Sequence, residues 1–378
     1  MSAGVEIDVS PPIISVRETI TSEPRRDVKV QKTVSVVTPD ERLTLTFKAL
    51  PLPETISSFL YEQRASVDQK ATWTKEELQD FHDKLKCKFD EAGKKWARRF
   101  AQIWDIAPLS NNCNILFNNV SQFHETSYWT QSKSRFFPSS LLGENEVPKD
   151  PEMENRVIQR NETLLKMADA IVSGFKLATS SGPLCEEPMM DVCIILEDFS
   201  FDFHLFFQEI SSNLGPVISC AKDGVRAAFE TKSARILEAV YNCEIQVSQD
   251  HLGKTYALLG KRRAKVFNEQ LKHGTNIFGI SAYLPVIESF GFYSELVEVT
   301  SGAANAQLVF HGWRKIDKDP FFVPKTEEEL EEYGETIALG IPNLARDVMN
   351  KVRKSKGLKI DEKLVQSVDK QRTLSKNK

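Results

Sequence analysis

The stretch LEAVYNCEIQVSQDHLGKTYALLGKRRAKV (Leu237–Val266) decides the fold, because its hydrophobic period changes along its length. Leu237, Ala239, Tyr241, Cys243, Ile245 and Val247 alternate, which is the period-two signature of a strand; Leu252, Tyr256 and Leu259 then keep helical spacing. The pattern recurs downstream. Val266 opens a second strand, His273-Gly274 marks a turn, and Phe278, Ile280, Ala282 and Leu284 alternate. Phe290, Tyr293 and Leu296 are helical, and Leu308 to Trp313 closes the unit. Strand, helix, strand, strand, helix, strand is the split βαβ of a ferredoxin-like domain, placed at residues 234–316.

Upstream, the start of the chain is β-rich: residues 4–20 alternate around Pro11-Pro12, and Val28, Val30, Val34, Val36, Leu43, Leu45 and Phe47 continue the alternation. Thr74 followed by Glu77 has the form of a capping box. It opens a predicted helix whose stripe runs through Leu78, Phe81, Leu85, Phe89, Ala92, Trp96, Phe100 and Ile103, and that aromatic stripe reads as core. Residues 121–160 are rich in Ser, Pro, Asn, Gly and charge, and are expected to form a surface loop insertion. Helical spacing resumes from Leu164 to Phe175 and ends at Ser181-Gly182-Pro183; a strand at Val192–Leu196 and a helix over 218–230 come next.

The composition bounds the function. With 49 Lys+Arg against 53 Asp+Glu the formal charge is −4, so the chain is no wholesale polycation, and 41% hydrophobic residues fit a globular protein of two or three domains. The six cysteines are scattered without metal-ligand spacing and read as buried thiols in a reducing compartment. No apolar run reaches the roughly 20 residues that span a bilayer. MSAGVEIDVSPP carries no basic and apolar leader, so a cytoplasmic location is expected and the sequons at Asn119 and Asn161 are chance matches. Charge is segregated at the end: Glu327 to Glu332 holds five glutamates, whereas residues 346–378 hold 11 Lys/Arg against 4 Asp/Glu. Such a basic segment either favours a phosphate backbone through counterion release or forms a solvated helix face.

Catalytic patterns are missing from the string. Gly253-Lys254-Thr255 suggests a phosphate loop, but that loop needs a glycine five residues before Gly253, and position 248 is Ser. The triplet is also expected inside the helix rather than at its start. The six histidines are dispersed, and the adjacent carboxylates Glu186-Glu187 sit beside Pro188 in a turn. The residues alone give a multi-domain α+β protein with a basic tail and no visible catalytic centre.

GPLCEEP (Gly182–Pro188), preceded by IVSGFKLATSS (Ile171–Ser181), resembles domain IV of the elongation factor 2 and elongation factor G class of translational GTPases. LGKTYALLGKRRAKV, AYLPVIESFGF (Ala282–Phe292), TSGAANAQLVFHGW (Thr300–Trp313) and DPFFVP (Asp319–Pro324) resemble domain V and the segment after it, and PPIISVRETI (Pro11–Ile20) the junction of domains III and IV. The endings RKSKGLKIDEKLV (Arg353–Val365) and DKQRTLSKNK (Asp369–Lys378) are similar to those of the elongation factor-like GTPase 1 branch, cytoplasmic ribosome-assembly factors. The resemblance implies the end of domain III at 1–17, a domain IV of the ribosomal protein S5 domain 2-like fold at 18–233, a ferredoxin-like domain V at 234–316, and a helical basic extension at 317–378.

It also implies a job. Members of the branch act with the Shwachman–Bodian–Diamond syndrome protein to release initiation factor 6 from immature large ribosomal subunits, domain V lying near the sarcin-ricin loop and stalk base. Carried onto this sequence, Lys254, Lys261, Arg262 and Arg263, with Lys351, Arg353, Lys354 and Lys356, are the candidate rRNA contacts. GTP and magnesium serve the family's GTPase domain, whose motifs are not in this sequence; the chain is expected to be a non-catalytic ribosome-binding arm, a fragment or a stand-alone relic. The alternatives are a GTP hydrolase with its N-terminal half missing from the gene model, and a spliceosomal relative, which the basic ending disfavours. SFDFHLFFQEISSNLGP (Ser200–Pro216) lacks the run of glycines that stands near the modified histidine at a translocase tip, which argues against a translocase. Ala264 stands where the family often has a glycine after paired arginines, which puts the helix end there in question.

Overall fold

A computed structural model describes residues 15–25, 32–68, 73–107, 113–120, 151–201, 214–324, 326–333 and 343–360. The first sheet has the order β2-β3-β6-β5-β4, built from β2 (Val34–Val37), β3 (Leu43–Pro51), β4 (Ile103–Ala107), β5 (Asn114–Asn118) and β6 (Val192–Phe201). Only β5 and β6 run parallel, so their connection must cross over, and it does so through the long helix α5 (Pro151–Ser180). Alternation assigns the two faces. Leu43, Leu45, Phe47, Ile194 and Leu196 face α5 and α6 (Gly215–Glu230), while Ile115, Phe117, Cys193 and Ile195 face the helices inserted between β3 and β4. Those are α1 (Glu54–Glu62), α2 (Arg64–Asp68), α3 (Lys75–Glu91) and α4 (Lys94–Arg99).

The second sheet carries the ferredoxin-like order β10-β7-β9-β8, from β7 (Lys232–Ser248), β8 (Lys265–Leu271), β9 (Ile277–Pro285) and β10 (Ala304–Lys315). Helices α7 (Leu252–Lys261), α8 (Val286–Ser289) and α9 (Phe292–Val299) complete the unit, with Cys243, Ile245, Ile280, Leu284, Leu258 and Leu296 in its core. β1 (Val16–Pro24) pairs with the first half of β7, Lys232 to Glu238, and β9 with the second, Val240 to Ser248. Because β10 covers Leu237 to Val247 from the other edge, β7 is one strand common to everything around it. It runs unbroken across position 233. After β10 come the acidic helix α10 (Glu327–Tyr333) and the basic helix α11 (Leu344–Ser355), whose Ala345, Val348, Met349 and Val352 pack into the core of the first sheet.

Three expectations are corrected. The capping box forms, Thr74 Oγ1 accepting from the Glu77 N–H at 3.2 Å while Glu77 accepts from the Thr74 N–H at 2.8 Å. The helix it opens stops at Glu91, however: Gly93 takes φ 108°, a conformation closed to other residues, α4 sets off in a new direction, and Ile103 belongs to a strand. Residues 151–160 are the first turns of α5 rather than loop, while 121–150 of the expected insertion and most of the translocase-tip segment lie outside the described residues. Of the six thiols, all free, Cys87 is exposed rather than buried.

Two sites give the packing measurable signs. At Gly174 a Cβ would meet the Ala221 Cβ at 2.6 Å and the Ile218 carbonyl at 2.7 Å, so α5 and α6 touch through it and cannot part by a side-chain rotation. Gly174→Ala should lower the unfolding free energy measured in urea by about 1–2 kcal/mol, overpacking outweighing the helix-propensity gain. Gly260→Ala, in α7 with nothing within 4 Å, should raise it by roughly 0.5 kcal/mol.

Asp191, at φ 61° before β6, hydrogen-bonds Ser57 of α1; burial pushes its carboxyl up to about 6 from an ordinary 3.8, against the Ser57 bond. A folded-state value above the unfolded one means that the folded chain holds the proton more tightly. The stability so contributed is full below about pH 4 and lost as the pH rises through about 6. Asp191→Asn, tolerant of the same backbone conformation, should therefore exceed the parent in urea midpoint above pH 7, the gap closing toward pH 4.

Candidate nucleic-acid interface

Helix α7 presents the first group of candidate cations. Its apolar stripe, Leu258 and Leu259 with Tyr256, faces the sheet, which leaves Lys254 and Lys261, two turns or roughly 10 Å apart, on one exposed side. Lys261 bonds Glu295 of α9 at 2.6 Å and Arg262 bonds the same carboxylate, which holds Glu295 below the usual carboxylate range. Arg262 also donates to the carbonyls of Glu288 (2.8 Å) and Phe290 (2.7 Å). The helix closes with the Ala264 N–H on the Leu259 carbonyl at 2.9 Å and the Arg263 N–H on the Gly260 carbonyl at 3.1 Å, the paired bonds of a Schellman cap. The left-handed residue is thus Arg263 (φ 56°), not Ala264. Its guanidinium compensates by bridging Glu238 of β7 at 3.1 Å and Glu288 at 3.2 Å.

The second group lies on α11. Asn343 caps it, accepting from the Ala345 N–H at 3.0 Å and the Arg346 N–H at 3.3 Å. Because the apolar face of α11 is buried, Lys351 and Lys354 project outward. Arg353 and Lys356 turn the other way, onto the loop Gly182–Pro188. Arg353 donates to the Leu184 carbonyl, and Lys356 to the carbonyls of Cys185 (3.0 Å) and Glu186 (2.7 Å) and to the Glu187 carboxylate at 2.7 Å. That loop is itself wound on Glu18 of β1, fully buried, whose carboxylate accepts the N–H groups of Leu184 (2.8 Å), Cys185 (2.9 Å) and Glu187 (3.1 Å). Burial raises the Glu18 carboxyl and the three N–H groups oppose the rise; burial, then the neighbouring Glu18 charge, pushes the Cys185 thiol up as well. Gly182 has no Cβ because the Glu18 carboxylate fills that space.

The eight cations therefore divide: Lys254, Lys351, Lys354 and the largely exposed Lys261 point to solvent, whereas Arg262, Arg263, Arg353 and Lys356 tie elements of the chain together. Glu187, paired with Lys356 and with Arg17 at 3.8 Å, is held as a structural carboxylate. Sequence reasoning missed Arg17 and Glu18. The signal was a glutamate at an inward position of a β-alternation, between the buried Val16 and Ile20.

A nucleoside triphosphate does not fit the Gly253 triplet. Contrary to expectation the triplet lies in the first turn of α7, after β7 and a single short turn, as it would in a phosphate loop. Yet the glycine-rich loop is replaced by that turn, and the buried Thr255 hydroxyl donates to the His251 carbonyl at 3.1 Å, so it faces away from any metal. Among the described residues no cluster of His, Cys, Asp and Glu could hold a metal, and no helix is long and apolar enough to cross a membrane.

Residues 235–323 match the family model described as elongation factor G C-terminus. The whole chain is 33% identical to elongation factor-like GTPase 1 of Homo sapiens over 470 aligned positions, and 33% identical to that of Mus musculus. It is also 33% identical, over 99% of its length, to ribosome assembly protein 1 of Saccharomyces cerevisiae. The chain spans 40% of the length of the human relative and 33% of the yeast one.

Glu18→Gln keeps the volume but turns one acceptor oxygen into a donor facing an N–H, leaving a buried group unsatisfied. It should cost about 1–3 kcal/mol in urea denaturation and speed proteolysis between Leu184 and Glu187, while Arg353→Ala should expose the same loop through α11. An unchanged cleavage rate in Glu18→Gln would show that the loop holds its shape without the carboxylate.

Proposed function

As a relative of elongation factor-like GTPase 1 and ribosome assembly protein 1 along its whole length, this chain is, we propose, the ribosome-binding arm of a ribosome-assembly GTPase. The observation that carries this reading is the extent of the match: it takes in the first sheet, the elongation factor G C-terminal domain and α11 together, not the common C-terminal domain alone. The arm docks on the large ribosomal subunit, near the sarcin-ricin loop and stalk base. There it works with the Shwachman–Bodian–Diamond syndrome protein to release initiation factor 6 in the cytoplasm. GTP and magnesium are handled outside the span shared with this chain, in keeping with the poor fit at Gly253–Thr255. Lys254 and Lys261 on α7 and Lys351 and Lys354 on α11 supply the phosphate contacts. Arg262, Arg263, Arg353 and Lys356 position those two helices. Exposed cations of this kind gain affinity by displacing condensed counterions, so binding should be steep in salt.

The test is co-sedimentation of the chain with large subunits bearing initiation factor 6, with and without the Shwachman–Bodian–Diamond syndrome protein, from about 50 to 200 mM salt. Salt-sensitive binding that weakens about tenfold in a Lys254→Glu/Lys351→Glu/Lys354→Glu variant is the expected result. Binding that is absent, or flat in salt and indifferent to the three substitutions, would overturn the reading.

A further inference from the structure

The break at Gly93 has a spatial result. Helix α4 sets off from the end of α3, and its Lys95, Trp96, Arg98 and Arg99 come together with residues of β3 and β6. A cleft of about 560 Å³ opens there, with Lys48 and Leu50 of β3 and Ile195 and Glu197 of β6 as floor and Lys95, Trp96, Arg98 and Arg99 as wall. Its charge is one-sided. Glu197 is matched by Lys48 at 3.5 Å and also receives the Asn119 amide at 2.8 Å, while Lys95, Arg98 and Arg99 have no acidic partner among the described residues. Lys48 pairs with Ile195 and follows Phe47 of the opposite core, which puts it on the face of the sheet where Cys193 and Ile195 lie, and it lines the cleft together with Arg99. Cations brought together without counter-charge repel one another, a cost that a bound polyanion removes.

We propose that this cleft is an RNA-binding site, taking the phosphodiester backbone of a single-stranded or looped segment, distinct from the cation surfaces of α7 and α11. Three features favour RNA over an acidic peptide. The volume lies within the range that holds small organic ligands, enough for a nucleotide unit. The half-buried Trp96, braced by Phe89 and Phe117 at 6.4 and 6.3 Å, borders the cleft with an aromatic ring on which a base can stack. Gln102 and Asn119, joined at 3.1 Å, add amide donors and acceptors of the kind that read ribose hydroxyls and base edges and that an acidic peptide does not need. The inference rests on the ribosome-facing reading only for the availability of RNA; the binding itself is a property of the isolated chain.

The experiment is fluorescence anisotropy of a fluorescein-labelled twelve-nucleotide oligouridylate with the full chain, across salt, beside a twelve-residue polyglutamate. Lys95→Glu/Arg98→Glu alters two exposed side chains and leaves the core intact; Trp96→Phe keeps a ring in the core and shrinks the stacking face. Lys272→Glu/Lys318→Glu, at two exposed lysines away from the cleft and from α7 and α11, is the charge-matched control. The expected result is oligouridylate binding that weakens at least about tenfold in the cleft variant, with a log–log salt slope shallower by roughly 1.4 for two lost phosphate contacts. Trp96→Phe should weaken it about threefold, and the control less than about twofold. Equal binding by parent and cleft variant, or equal losses in variant and control, would overturn the proposal. Tighter capture of polyglutamate that is lost on the same substitutions would overturn it in favour of an acidic protein segment. Because the α7 and α11 variants are read on ribosomal subunits and the cleft variants on free RNA, either reading can fail without the other.

Discussion

One buried carboxylate organises the junction of the two halves. Taking Glu18 out of water costs several kcal/mol unless its oxygens are satisfied, and three backbone N–H groups of Leu184, Cys185 and Glu187 satisfy them only if the loop winds tightly around it. Winding turns the carbonyls of Leu184, Cys185 and Glu186 outward in the opposite sense. Those carbonyls, with the Glu187 carboxylate, are what Arg353 and Lys356 bind. The C-terminal helix thus docks on a surface that exists because a β1 carboxyl group far away in sequence is enclosed and takes the loop's three N–H groups.

The same economy of elements explains why half the candidate cations are not free. A helix that ends at a left-handed arginine, as α7 does at Arg263, needs an anchor for that strained residue, and Glu238 and Glu288 provide it. Arg262 likewise spends its donors on α9 and the turn before it. What α7 offers to a partner is its lysines, long and solvated, on a helix made rigid by its arginines. The division by residue type has a chemical cause: the planar guanidinium satisfies several carbonyls and carboxylates at once, which an ammonium does not.

Periodicity made the ferredoxin-like half legible, since each of its strands has one face on the helices and the other bare. It served less well for β7, where alternation is clean only from Tyr241 onward; the first half is buried on both faces, so the strand begins before its pattern does. The α3 stripe misled for the opposite reason, because apolar residues in α4 and β4 happen to continue the helical spacing beyond Gly93. Pro151 at the first position of α5 was a helix-start signal masked by polar composition. Of the candidate surfaces, the lysines of α7 and α11 could be found along the chain. The cleft could not, because KKWARR (Lys94–Arg99) acquires Lys48, Asn119 and Glu197 only through strand order.

β7 has a mechanical meaning as well. Seventeen residues in extended form reach roughly 55 Å, and ladders on both edges join the strand to β1, β9 and β10. Two domains linked by a loop can swing on it; two units built on one strand can move relative to each other only by twisting that strand against its own hydrogen bonds. Torque applied to the ferredoxin-like end is then delivered to the first sheet with little loss, and any pivot used in a working cycle must lie outside residues 232–248.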